Sequence, residues 1–357
     1  MKEIEKIVEA YRQTDWTKEK AALGVVVRVE ESSYRRIGAR MFVRSSGLWT
    51  GGISGGCLEG DALRRAQSAI NKNEASVVVY DTLEDDEHQI GVGLGCNGRI
   101  EVLFTPVDPE ANNQIKYLES ILNTRSPLCL FQVIKSEDPH LLGKFFHNES
   151  GITPIPESRI GTLEALVQEQ GKSRIFSESE MDILVEVIRP KIRLICVGDN
   201  YDILAMVDIA NELGWEIHVA GKRKKLQKPI FEIADLVYDL EQVREIETDD
   251  FTALVLMTHD YKKDFDLLKH FIDDDIPYLG LLGPKKRRDK MQKDLMEEGL
   301  YIDLSKRENL FSPVGLDLGA ETPEEISLSI CSEIVSVLRN RSGGRLKNRI
   351  GPIHERD

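Results

Sequence analysis

Two glycine-rich stretches, each carrying one cysteine, hold most of the chemistry legible in this 357-residue chain. The first spans 50–61, TGGISGGCLEGD, with Ser54, Gly55 and Gly56 leading into Cys57. The second spans 91–99, GVGLGCNGR, with Gly93 and Gly95 leading into Cys96. Glycines let backbone N–H groups converge on a ligand, and the start of a helix adds partial positive charge that favours an anion. Cys57 falls near an expected helix start, where that field stabilises a thiolate, whereas Cys96 precedes an expected strand. Two tight connections with inward-packed thiols would read the same way. Zinc is the weaker reading, because there is no CxxC pair and His88 is the only nearby imidazole.

Arg35, Arg36 and Arg40 in SSYRRIGAR form a compact basic cluster. A guanidinium matches phosphate bidentately, although a solvated turn would carry the same residues. In the second half, Gly198 follows an apolar run where a dinucleotide-binding fold places GxGxxG. The segment reads Gly198-Asp199-Asn200-Tyr201-Asp202-Ile203, so the second glycine is Asn200 and the third is Ile203. The acid expected to hold a ribose 2′-OH is replaced by Gly221-Lys222-Arg223. Both departures argue against ordinary NAD(P) binding. Lys222 to Lys225 read either as contacts for a phosphate-rich ligand or as a solvated loop. Two more segments follow expected strands, where open α/β sheets bind ligands. His259, in Thr258-His259-Asp260, reads as a proton carrier, a ligand-orienting group or a structural histidine. Gly283 and Lys285 open the basic run GPKKRR at a helix start.

The elements that must position these residues fall into two regimes. Periodicity predicts a helix at 3–13, strands at 23–30, 40–43 and 48–52, a helix at 61–71, and strands at 76–80 and 99–105. A helix at 110–122, a strand at 128–134 and weaker strand signals up to 181–188 follow. These do not alternate regularly, which suggests α+β. After Arg189 and Pro190, strands at 192–197, 215–220, 253–257 and 277–281 alternate with helices at 202–213, 263–272 and 285–297, and a last helix runs over 323–339. Such alternation predicts a parallel sheet. The fold class is therefore α/β: an N-terminal α+β domain over 1–189, a Rossmann-like parallel-sheet domain over 190–340, and a polar tail over 341–357.

The formal charge of −14 and pI near 5.2 disfavour nucleic acid and anionic lipid as partners. The charged start MKEIEKIVEAYRQTDW has no apolar signal region, and no run is long enough for a membrane span, so no membrane is expected and the cytoplasm is the expected home. Five scattered cysteines make no disulfide framework, and Cys129, Cys196 and Cys331 read as small core residues.

RVEESSYRRIGARMFV, GGISGGCLEGD and GVGLGCNGRIEVLF together resemble the N-terminal region of the XdhC/CoxI family. MTHDYKKD, YLGLLGPKKRRDKM and SPVGLDLGAETPEEISLSICSEI resemble its C-terminal Rossmann-like domain. The order holds from about residue 20 to 340. The resemblance implies a molybdenum cofactor (molybdopterin)-binding accessory protein that helps sulfurate the cofactor with a cysteine desulfurase. It also implies insertion into the apoenzyme of a molybdenum hydroxylase of the xanthine dehydrogenase type, and it leaves room for a homodimer. Cys57 and Cys96 match the family's two glycine-flanked cysteines. That role is a cofactor chaperone's and not a turnover enzyme's, though the family is often labelled xanthine dehydrogenase. The alternative is a nucleotide-dependent oxidoreductase or xanthine dehydrogenase subunit using the Rossmann-like half. This chain lacks the iron–sulfur cysteines and the size of the catalytic enzyme, and GDN stands where the family's nucleotide-type loop often begins GAG.

Overall fold

A computed structural model describes residues 1–31, 34–81, 98–151, 153–178 and 180–350. The chain packs as two compact units, the first running from Met1 to Pro190 and the second starting at Lys191.

The first unit opens with α1 (Lys2–Arg12), β1 (Ala21–Glu31), β2 (Arg40–Arg44), β3 (Trp49–Gly51), α2 (Glu59–Lys72), β4 (Ser76–Asp81) and β5 (Gly98–Val107). The five strands make one antiparallel sheet in the order β3-β2-β1-β5-β4. Strand β1 is buried on both faces over residues 21–27, and its sequence there is apolar at every position. Leu23, Val25 and Val27 pack with Ile7, Val8 and Tyr11 of α1, while Ala22 and Val26 pack with Ala62, Ala66 and Ile70 of α2. The alternation is the period of two that any strand imposes. Then come α3 (Gln114–Ser120), β6 (Leu128–Ser136), β7 (Phe145–Phe146), α4 (Glu157–Gln170), β8 (Arg174–Glu178) and β9 (Met181–Ile188). These strands form a second antiparallel sheet, β7-β6-β9-β8.

Two sequence expectations change here. The helix read over 110–122 starts only at Gln114, because the Asn113 side chain accepts from the N–H groups of Ile115 and Lys116 and caps it. The region read as weak strands contains α4, whose apolar stripe Ile160, Leu163 and Val167 packs on Phe131 and Val185.

The second unit contains β10 (Arg193–Val197), α5 (Asp202–Leu213), β11 (Glu216–Ala220), α6 (Lys228–Ile233), β12 (Leu236–Tyr238), β13 (Thr252–Leu256), α7 (Tyr261–Phe271), β14 (Tyr278–Leu281), α8 (Lys285–Glu297), β15 (Leu310–Phe311) and α9 (Pro323–Leu338). All six strands are parallel, in the order β12-β11-β10-β13-β14-β15. This is the Rossmann order, and the direction of growth reverses between β10 and β13. Gly214, at φ +72°, ends α5 in the left-handed region. The Thr322–Glu325 capping box starts α9. Cys129, Cys196 and Cys331 are buried in the cores. No helix among the described residues is long and apolar enough to cross a membrane.

Candidate functional site

In the first unit, antiparallel pairing gathers the chemistry-bearing connections at one end of a sheet. Glu31, the last residue of β1, lies opposite Gly98, the first of β5, and Asp81 at the end of β4 lies opposite Arg99. Arg40 opens β2 opposite Val25, and Gly51 closes β3 opposite Met41. The chain leaving β1, the chain leaving β3, and the strand ends that bound 82–97 therefore share that end. Gly93, Gly95, Cys96 and His88 lie outside the described residues.

The two described loops touch. Arg35 Nε donates to the Gly52 carbonyl at 3.0 Å, and its guanidinium pairs with Glu3 of α1. The Tyr34 ring covers Gly55: a Cβ there would sit 3.4 Å from Tyr34 Cγ and Cδ1 and 3.7 Å from Cδ2. Near-equal distances to these three atoms put that spot over the ring face and not beyond its edge. Tyr34 is nevertheless 71% exposed.

Ser54 is the hub of the glycine–cysteine loop. Its hydroxyl donates to Glu59 Oε2 at 2.5 Å and accepts from the N–H groups of Gly56 and Leu58 at 3.2 and 3.1 Å. Its own N–H donates to Glu59 Oε1 at 2.9 Å, and Cys57 Sγ stands 3.6 Å from its Oγ. Burial alone would raise the Glu59 carboxyl, but the hydrogen bonds from Ser54, Leu58 and its own N–H outweigh it and hold it below the usual glutamate range. Gly56, at φ +112° with open space around it, needs glycine for its backbone and not for room. Cys57 is exposed and comes two residues before the first residue of α2.

The arginine cluster does not act as one patch. Arg40 is 2% exposed; its Nη1 donates to Glu186 Oε1 at 2.9 Å and to the Gly38 carbonyl at 2.6 Å, and its Nη2 donates to Glu186 Oε2 at 2.5 Å. Burial and the Glu186 fork withdraw it from any surface phosphate, which corrects the sequence reading of that residue. Arg36 is exposed.

In the second unit, Gly198, His259, Gly283 and Lys285 all follow the C-terminal ends of parallel strands. Gly198 is required by packing, since a Cβ would fall 2.6 Å from the Met257 carbonyl oxygen. Asn200 Nδ2 donates to that same oxygen at 2.5 Å, and its Oδ1 accepts from Asp202 N at 2.9 Å. The amide thus fills the ground that a second glycine leaves open for a pyrophosphate. His259 Nε2 donates to Asp202 Oδ2 at 3.0 Å. Thr258, just before it, donates through Oγ1 to Asp264 Oδ1 at 2.6 Å, and fully buried Asp264 pairs with Arg287 at 2.5 Å. Burial raises the Asp264 carboxyl despite Thr258 and Arg287. Gly283, at φ +132°, lies against Arg287, and Lys285 is exposed in the first turn of α8. Among the described residues, no three His, Cys, Asp or Glu side chains converge as a metal site.

Tyr34, Glu59 and Asp202 were not singled out from sequence. Glu59 carried a signal, a carboxylate five residues after a loop serine at a helix start; the other two depend on contacts made only in the fold.

A six-stranded Rossmann sheet following an antiparallel unit with a glycine–cysteine loop defines the class. The chain belongs to the XdhC and CoxI family: residues 194–334 match the XdhC Rossmann domain and residues 17–81 match the XdhC and CoxI family model. It is 28% identical over 322 residues to a probable xanthine dehydrogenase subunit of Bacillus subtilis (strain 168), covering 89% of this chain and 93% of that one. It is 22% identical over 317 residues to the molybdenum cofactor insertion chaperone PaoD of Escherichia coli (strain K12), covering 89% and 83%. A crystal structure titled as a xanthine dehydrogenase from Bacillus halodurans superposes with a TM-score of 0.74 at 26% identity, covering 96% of this chain and 97% of that one.

Proposed function

We propose that this protein carries molybdenum cofactor as cargo, taking part in its sulfuration and in its delivery to a molybdenum hydroxylase apoenzyme. The observation that carries the reading is the junction of the two loops, Arg35 on Gly52 and Tyr34 on Gly55, beside exposed Cys57. Likeness to an insertion chaperone supports it. Molybdopterin has a phosphate, a pterin ring system and a dithiolene, and its oxidised forms are labile. The loop offers Arg35 and Arg36 to the phosphate, the backbone N–H group of Gly55, and an aromatic face at Tyr34. Gly93, Gly95 and Cys96 complete the set proposed from sequence. The Cys57 thiolate would attack the persulfide of a cysteine desulfurase, forming Cys57–S–SH and leaving the desulfurase cysteine as thiolate. Ser54 and Glu59 fix the backbone that presents Cys57.

The test is mass analysis of the small molecules released from protein made in a host that synthesises the cofactor. Molybdopterin released in near-stoichiometric amount is the expected result. Protein that stays free of pterin, both alone and after incubation with free cofactor, would overturn the reading.

A further inference from the structure

The C-terminal edge of the parallel sheet carries a second set of groups that the cargo reading does not use. Three strand ends meet there in backbone contact. A Cβ on Gly221 would fall 2.3 Å from the Gly198 carbonyl oxygen, and one on Gly198 would fall 2.6 Å from the Met257 carbonyl oxygen. The loop after β10 also ties itself to both neighbours through its carboxylates. Asp199 faces Lys225 of the β11 loop at 3.7 Å, and Asp202 holds His259 of the β13 loop at 3.0 Å.

His259 is the irregular member. It has φ +59°, a left-handed backbone conformation that a non-glycine residue adopts at a cost. The residues on either side enforce it. Thr258 is anchored on the buried Asp264–Arg287 pair, and Asp260 N donates to Thr258 Oγ1 at 3.1 Å while its carboxylate caps α7. A strained turn held from both sides, with its imidazole half-exposed at the reversal point of the sheet, is where open α/β sheets receive ligands. Because a carboxylate only accepts, Nε2 is committed to Asp202 and Nδ1 is the ring nitrogen left for a ligand. In a chain of net charge −14, the adjoining loops are basic: Lys222 and Lys224 follow Gly221, and Lys285 and Lys286 follow Gly283, all four exposed. The Asn200 amide on Met257 O occupies the approach that a dinucleotide pyrophosphate needs, which favours a ligand with a single phosphate.

We infer that this edge is a binding site for a small phosphomonoester, with the Asp202-held His259 contacting the ligand and the β11 loop lysines neutralising its phosphate. The inference does not rest on the cargo reading and stands or falls separately.

The experiment uses the full chain with ring-labelled histidine, the His259 resonance being identified by its loss in His259→Gln. Inorganic phosphate and adenosine 5′-monophosphate are titrated at constant ionic strength. A saturable shift of the His259 signal at up to millimolar probe is expected, with affinity about tenfold weaker in Lys222→Ala/Lys224→Ala. Tighter binding of the nucleotide than of phosphate assigns the phosphate to a nucleoside monophosphate; equal binding assigns recognition to the phosphate alone. No saturable shift with either probe would overturn the site, as would unaltered affinity in the double-lysine variant.

Discussion

Arg40 and Glu186 form a bidentate ion pair between the first and second antiparallel sheets of the N-terminal unit, with Arg40 Nε left buried and without a partner among the described residues. Gly38 makes the pair feasible, because a Cβ there would lie 2.4 Å from Glu186 Oε1. Removing one partner strands the other charge in the interior. Arg40→Ala is therefore expected to destabilise the protein by roughly 3–5 kcal/mol, and Arg40→Met, which keeps volume, to do so as well because Glu186 stays unpaired. The double variant Arg40→Met/Glu186→Leu should recover most of the loss. Urea denaturation of the three variants measures this, and a double variant no more stable than Arg40→Met would refute the pairing argument.

That pair also marks where sequence reasoning ends. The strands LICV and ALVL were legible because a parallel strand buried on both faces is apolar at every position, and Gly214 announced the end of α5. β12 and β15 were not legible, since three and two residues are too short to show a period. The burial of Arg40 depends on a carboxylate 146 residues away, and the pairing of His259 on one 57 residues away. Three arginines close in sequence look alike until distant partners separate them. The Cys57 loop, by contrast, is local, and its glycines and helix start could be read directly.

Thiol reactivity should single out Cys57 from the core cysteines. Burial pushes the thiols of Cys129 and Cys331 up to about 12 and that of Cys196 higher still, while Cys57 is exposed. Native protein treated with iodoacetamide at neutral pH should label at Cys57, and Cys57→Ala should remove more of the label than Cys96→Ala does. Labelling confined to Cys129, Cys196 or Cys331 would remove the sulfur-relay step and leave only a carrier.

Binding of NAD(P) should be weak or absent. Asn200 bonds to the Met257 carbonyl where a second glycine would admit a pyrophosphate, and Lys222 and Arg223 stand where an acid would hold a ribose hydroxyl. Calorimetry with NAD and NADP should give no saturable heat at millimolar cofactor. A tight, stoichiometric isotherm for either would contradict this account of Asn200.

The Ser54–Glu59 contact should leave a signature in the pH dependence of stability. Glu59 titrates below its usual range in the folded protein, because hydrogen bonds from Ser54, Leu58 and its own N–H outweigh the opposing effect of burial. A depressed folded pKa means that the carboxylate contributes stability above the ordinary glutamate value, and that this is lost as pH falls through the folded value. Ser54→Ala deletes the donor hydroxyl and also the acceptor for Gly56 and Leu58 N–H. A loss of about 1 kcal/mol is expected at neutral pH, typical of removing such a loop-to-helix hydrogen-bonding residue. The gap from wild type should narrow on acidification, since a protonated Glu59 gains less from Ser54. What remains at low pH reports the Gly56 and Leu58 contacts, which do not titrate. Glu59→Gln serves as the control: Ser54→Ala made in that background should cost the same across the pH range. The measurement is urea unfolding of the four proteins from neutral pH down to below the carboxylate range. A Ser54→Ala penalty independent of pH in the wild-type background would mean that Glu59 is not held by Ser54, and that the loop presenting Cys57 is fixed by other contacts.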